Sequence, residues 1–91
     1  MKMYKIYVGL THKNGVDQVP EQRIDDIVKL FGVPAITKYW GSGLWDGKAE
    51  STIILETDSV CAPDLAKALQ IAMHQECVLL TEQEISATLI S

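Results

Sequence analysis

Tyr39-Trp40-Gly41-Ser42-Gly43-Leu44-Trp45-Asp46-Gly47-Lys48-Ala49-Glu50-Ser51-Thr52-Ile53-Ile54-Leu55 is the stretch whose reading decides the fold. It gathers both tryptophans, one of three tyrosines and three of the six glycines of a 91-residue chain. Glycines at 41, 43 and 47 let the backbone reach positive φ and let another group approach closely, while the flanking side chains favour strands. The stretch reads as two strands, Ala35 to Trp40 and Glu50 to Thr57, joined by an aromatic, glycine-rich loop. Glu50 is a lone carboxylate placed where that loop becomes strand.

Working outward toward the N-terminus, Tyr4, Ile6, Val8 and Leu10 alternate with Lys5, Tyr7 and Gly9, the period of a strand buried mainly on one side, over Met3 to Thr11. His12-Lys13-Asn14-Gly15 is turn-prone. Pro20 suits a first helical position, and Ile24, Ile27, Val28 and Phe31 recur at helical spacing until Gly32 and Pro34 end the pattern. Toward the C-terminus, Pro63 and Asp64 open a second helix with a stripe of Leu65, Ala66, Leu69, Ala72 and Met73. Its alanines let it approach a sheet closely. Cys77 to Thr81 reads as a further strand, Glu82-Gln83-Glu84 as a polar connector, and Ile85 to Ile90 as a fifth strand able to pair with its predecessor or with another subunit.

The order β-α-β-β-α-β with an added strand is that of the ferredoxin-like split βαβ sandwich, an α+β fold forming one domain over residues 1–91. Right-handed crossovers place both helices on one face of an antiparallel sheet. The other face carries Tyr7 and Ile54 with no third helix to cover them, so an assembly in which sheets pack on one another is expected.

Composition narrows the function classes. A net charge of −4 without a Lys/Arg cluster argues against a nucleic-acid partner, and the apolar runs are too short to span a bilayer. Met1-Lys2-Met3-Tyr4-Lys5 leads straight into a strand pattern, which places the protein in the cytoplasm. Cys61 and Cys77 form no Cys-x-x-Cys pair and have no histidine at ligand spacing, so no structural metal is expected. His12 and His74 read as surface or capping residues. Neither a Gly-x-Gly-x-x-Gly nor a Gly-Lys-Ser/Thr phosphate loop is present.

The C-terminal half, from Ala66-Lys67-Ala68-Leu69 through Gln75-Glu76-Cys77-Val78-Leu79 to Thr88-Leu89, resembles the phage-encoded S-adenosylmethionine lyases, formerly described as hydrolases. In that family a helix with small residues leads into a Gln-acid-Cys-Val-Leu strand, after a Gly-rich segment with an aromatic and a glutamate. The resemblance covers about half the chain; the first half matches in pattern. It implies a PII-like homotrimer with substrate bound between subunits, no cofactor, and cleavage of S-adenosylmethionine to methylthioadenosine and homoserine lactone. The biological effect it implies is depletion of the methyl donor and so anti-restriction in a host cytoplasm. It also implies catalytic roles for Tyr39 and Glu50, spaced as in the family, and a nucleoside-facing role for Gln75.

The chemistry suits a sparse inventory. S-adenosylmethionine carries a neutral thioether leaving group and, in its own carboxylate, an internal nucleophile, so orientation supplies much of the rate. Glu50 can hold the substrate ammonium; Tyr39 can orient the carboxylate; Trp40 or Trp45 can face the sulfonium or stack on adenine. Each has a plainer reading. Glu50 by spacing alone is a solvated edge residue, Tyr39 half-buried packing, Trp40 cover for a sheet edge or subunit contact, and Gln75 a cap for free carbonyls. Lactone formation and hydrolysis both remain open, as do a non-catalytic PII-like or ACT-like sensor and a phage interaction protein with an acidic docking surface.

Overall fold

The structure, a computed structural model, describes residues 1–10, 21–45 and 47–90, and of Trp45 the backbone alone. The turn expected at 12–15, His12 and the helix-opening Pro20 lie outside the described residues. The elements follow in the order β1 (Lys2–Gly9), α1 (Glu21–Phe31), β2 (Thr37–Trp45), β3 (Lys48–Thr57), α2 (Ala62–Ala72) and β4 (Leu79–Glu84). Among the described residues no helix is long and apolar enough to cross a membrane.

The strands form one antiparallel sheet in the order β2-β3-β1-β4, the ferredoxin-like arrangement expected from the element order. Alternation along β1 and β3 sends Ile6, Val8, Ile53 and Leu55 to one face, where they meet Ile24 of α1 and Leu65, Leu69 and Met73 beside or within α2; all eight are fully or almost fully buried. Burying side chains of this size stabilises by about 1.5–3 kcal/mol each before entropy is counted. The stripes that place these residues are those legible in the sequence. Lys38 on β2 pins α1 to the sheet through Glu21 at 2.9 Å and Asp25 at 2.8 Å, and Arg23 Nε donates to the Ala72 carbonyl at 3.0 Å, joining the two helices.

Two expectations are corrected. Residues 41–45 are not loop: β2 runs to Trp45 and pairs with β3 in unbroken register from Thr37↔Glu56 to Trp45↔Lys48. Only positions 46 and 47 separate the strands, and Gly47 takes φ 76. Asp-Gly between two pairing runs is the sequence of a two-residue hairpin turn, which outweighs the loop tendency of the glycines at 41 and 43. Because β1 meets β3 only as far as Thr52, the last part of the hairpin projects beyond the rest of the sheet.

The second correction concerns the C-terminus. Glu82-Gln83-Glu84 is not a connector but the end of β4, which starts at Leu79 and not Cys77 and pairs with β1 as far as Lys2↔Glu84. A polar edge strand is a common protection against unwanted pairing. The Ile85 N–H still reaches the Met1 carbonyl at 2.8 Å, but residues 86–90 form no strand, and Leu89 and Ile90 stand exposed. Among the described residues the expected extra C-terminal strand is therefore absent.

Candidate active site

Since Ile6, Val8, Ile53 and Leu55 face the helices, their alternates Lys5, Tyr7, Gly9, Thr52, Ile54 and Glu56 lie on the uncovered face. Register places Tyr39 in one row with Ile54, Tyr7 and Leu79 across all four strands. Ile54 is 93% buried, its relative exposure being 7%, although no helix covers this face. Neighbours within the sheet supply that cover.

Glu50 sits on the same face, opposite Gly43 and near the end of β1. Its carboxyl group lies directly over Gly9: a methyl at position 9 would stand 2.6 Å from Glu50 Cδ and overlap the carboxylate oxygen. The same methyl would come within 3.0 Å of Gln75 Oε1. Residues 9, 50 and 75, from β1, β3 and the segment after α2, thus converge. Gln75 is brought there by the way α2 ends. Met73 caps the helix, His74 takes the left-handed conformation at φ 53, and the Gln75 N–H returns to the Gln70 carbonyl at 3.0 Å. The left-handed region is unusual for a side-chain-bearing residue, and here it lies at the end of α2, where the Gln75 side chain comes beside Gly9. Its amide Nε2 donates to the Met73 carbonyl at 3.2 Å, and its Oε1 is the amide atom nearest Gly9. Burial of the Glu50 carboxyl pushes its pKa up, because the charged form loses hydration there.

Tyr39 is placed elsewhere on this face. It is opposite Ile54, four positions further from the turn than Glu50, a separation of about 13 Å along the strands. Its hydroxyl donates to Glu56 Oε2 at 3.2 Å. Partial burial and the neighbouring Glu56 carboxylate hold the phenol protonated, its pKa above the usual tyrosine value. Glu56 lines a recess of about 390 Å³ with Lys5, Tyr7, Thr81 and Gln83. Within one chain, Tyr39 and Glu50 therefore do not share a cleft.

Trp40 is opposite Ile53, so it points to the helix-bearing side, away from both, and is 58% exposed. Trp45 pairs with Lys48 at the tip of the hairpin; its expected contact with a ligand lies outside the described residues. Sequence reasoning missed the part played by Gly9. The signal available was a glycine inside an otherwise regular strand, which marks close approach of another group. Among the described residues no three His, Cys, Asp or Glu side chains gather as a metal would require.

No protein-family model matches this chain, and no curated protein matches its sequence. Solved structures do. A phage S-adenosylmethionine lyase in the apo state superposes with a TM-score of 0.71 at 23% identity, over 90% of this chain and 78% of that one. A DUF3240 family protein from Shewanella baltica gives 0.56 at 11% identity over 99% and 97%. A de novo designed protein, Foldit4, gives 0.50 at 9% identity over 93% and 98%. The resemblance to the phage lyases noted in the sequence is thus matched by a shared fold, the ferredoxin-like sandwich on which one such lyase is built.

Proposed function

We propose that the protein is an S-adenosylmethionine lyase, acting in a host cytoplasm to deplete the methyl donor and so blunt methyl-donor-dependent restriction. The observation that carries this reading is the convergence of Glu50 and Gln75 over Gly9: a shielded carboxyl beside an oriented amide oxygen, on a fold shared with a phage lyase. A shielded carboxylate suits a ligand group rich in N–H donors, and the α-ammonium of an amino acid is such a group.

In this reading Glu50 holds the substrate ammonium, which restores the carboxylate's charge as it binds. With the amino acid end anchored, the substrate's own carboxylate attacks its Cγ. The Cγ–S bond breaks, its electron pair stays on sulfur, and neutral 5'-methylthioadenosine and L-homoserine lactone leave. The products account for every atom, with no water consumed and no proton taken by the protein. Orientation of this kind can supply several kcal/mol of the barrier. The Tyr39 hydroxyl orients the reacting carboxylate.

Because Tyr39 and Glu50 stand far apart in one chain, the reading requires a homotrimer whose subunits pair uncovered faces, one chain supplying Tyr39 and a neighbour Glu50. Trp45, at the tip of the hairpin, then serves as an aromatic wall for the sulfonium or adenine, whereas Trp40, turned to the helix-bearing side, stands outside such a site. Incubation with S-adenosylmethionine followed by chromatography tests this directly. Methylthioadenosine with homoserine lactone supports the lyase, and methylthioadenosine with homoserine as the first-formed product supports a hydrolase. Binding with intact recovery of S-adenosylmethionine identifies a sensor of the PII or ACT type instead.

A further inference from the structure

The two edges of the sheet are guarded differently. The outer edge of β4 carries Glu82 and Glu84, charges that discourage a further strand. The outer edge of β2 has no strand beside it among the described residues, and it runs for nine residues in unbroken register with β3, without proline or bulge. Lys38, its one charged residue, is already tied to Glu21 and Asp25 of α1. On the helix-bearing side Trp40 and Leu44 stand 58% and 77% exposed. A long, flat edge with apolar side chains is a template for pairing with another chain.

The diagonally opposite corner of the sheet has the complementary deficiency. β4 passes into Ile85 without a turn, and Ile85 exchanges both main-chain bonds with Met1: its N–H donates to the Met1 carbonyl at 2.8 Å, and its carbonyl accepts from the Met1 ammonium at 3.0 Å. Ser86-Ala87-Thr88-Leu89-Ile90 then continues past the start of β1, with every residue exposed and no described strand on either side. The segment is uncharged and contains Thr88 and Ile90, which favour strands. It holds no Gly, Pro, Asn or Asp with which to turn back onto β4.

Reach excludes the β2 edge of the same chain. Register aligns Ile85 with Met1 and aligns Thr37, the nearest residue of β2, with Lys5, about 13 Å further along the sheet. A strand added outside β2 also lies four strand spacings from β4, about 19 Å. The separation is then about 23 Å, whereas five residues at full extension span at most about 18 Å.

We propose that residues 86–90 of one chain add as a strand to the outer edge of β2 in a second copy, with Leu89 laid beside Trp40 and Leu44. Main-chain groups left open on both segments then satisfy one another. Donor segment and acceptor edge are different surfaces of one chain, so the contact is head-to-tail and closes as a ring. Closure at three rests on the lyase reading, which requires a trimer; the strand addition itself does not.

Residue-resolved amide hydrogen exchange on the full chain tests the pairing without substrate. Thr88→Pro removes a donor from the segment and lies outside the helix-packed core, so far-ultraviolet circular dichroism should be unchanged. Amides at 86, 87, 89 and 90 should exchange at least about tenfold more slowly in the wild type than in Thr88→Pro. Leu44→Lys sets a guarding charge on the acceptor edge and should free the same amides. In a mixture where only the Leu44→Lys chain carries the isotope label, its segment should regain protection from the intact edge of the Thr88→Pro chain. Free exchange of 86–90 in the wild type overturns the proposal, as does protection that survives Leu44→Lys or that fails to return on mixing. A chain with this protection that forms no methylthioadenosine defeats the lyase reading alone.

Discussion

The two ends of the uncovered sheet face use similar residue types to different effect. At one end Glu50 is tucked over Gly9 beside an anchored amide, and burial lifts its pKa. At the other, Glu56 accepts the Tyr39 hydroxyl at the rim of an open recess that also contains Lys5. Both glutamates project from β3 to the same side, six residues apart. What distinguishes them is the absence of a side chain on the neighbouring strand, and the lesson is that space and shielding, not the carboxyl itself, make one of them a candidate for chemistry.

The largest expected effect follows from that contrast. If Glu50 holds the substrate ammonium as proposed, Glu50→Gln removes a charge-assisted contact worth about 1.5–3 kcal/mol, so kcat/KM should fall by one to two orders of magnitude. Glu56→Gln keeps an acceptor for Tyr39 and should cost no more than about threefold, a difference below about 0.7 kcal/mol. A larger loss at Glu56 would move the site to the recess. Stability changes in the opposite sense for Glu50. A carboxyl whose folded pKa lies above its unfolded one binds its proton more tightly when folded, so stability declines as pH rises from the unfolded value toward the folded one. Glu50→Gln removes that decline, and its melting temperature at neutral pH should lie above that of the wild type. Substrate binding has the matching signature: KM should fall as pH rises through the Glu50 titration, because the ammonium needs the ionised form.

Next in size is Tyr39→Phe, expected to lower turnover about tenfold while leaving the melting temperature close to that of the wild type, since the hydrogen bond it removes is exposed to solvent. Its more telling use is in mixture with Glu50→Gln. If a site draws Tyr39 and Glu50 from different subunits, mixing the two impaired chains and allowing exchange re-forms about one intact site in four by random assembly of a ring, which raises activity above that of either variant alone. Activity that never recovers on mixing, with subunit exchange verified by mass, would confine the site to a single chain and contradict the placement of Tyr39 and Glu50 at opposite ends of the face.

The same contrast marks how far the sequence could be read. Alternation in β1 and the stripes of α1 and α2 survive into the structure because each reports a single local period and one buried face. The segment from Gly41 to Trp45 reads as loop because of its glycines at 41 and 43, whereas the register from Thr37↔Glu56 to Trp45↔Lys48 is unbroken, and an Asp-Gly pair between two such runs is the sequence signal of a two-residue turn. Cys77 to Glu84 failed for a related reason: an edge strand with one open side carries Glu82 and Glu84 without penalty, so polarity there was mistaken for a connector. Glu50 and Gln75 were legible as candidates. That they meet over Gly9 was not, because residues 9, 50 and 75 are joined only by strand pairing and by the left-handed exit of α2 at His74.

The smallest expected effect tests whether the open face depends on the covered one. Lys38 and Tyr39 are neighbours on β2 that point to opposite sides, Lys38 to Asp25 and Glu21 of α1 and Tyr39 to Glu56. The hydrogen bond to Asp25, then that to Glu21, raises the Lys38 pKa above its ordinary 10.5. A lysine raised in this way contributes stability that is complete below the unfolded value and is lost as pH climbs through the folded one. Lys38→Met should therefore lower stability at pH 7 by about 1 kcal/mol or less, as partly exposed ion pairs do, and the wild-type and variant melting curves should converge in strongly alkaline solution. Turnover should be nearly unchanged, because register with β3 already fixes where Tyr39 stands. A Lys38→Met chain that melts almost as the wild type does but loses activity as Tyr39→Phe does would show that α1, through this clamp, sets the angle of the hairpin, and that the two faces of β2 are not independent.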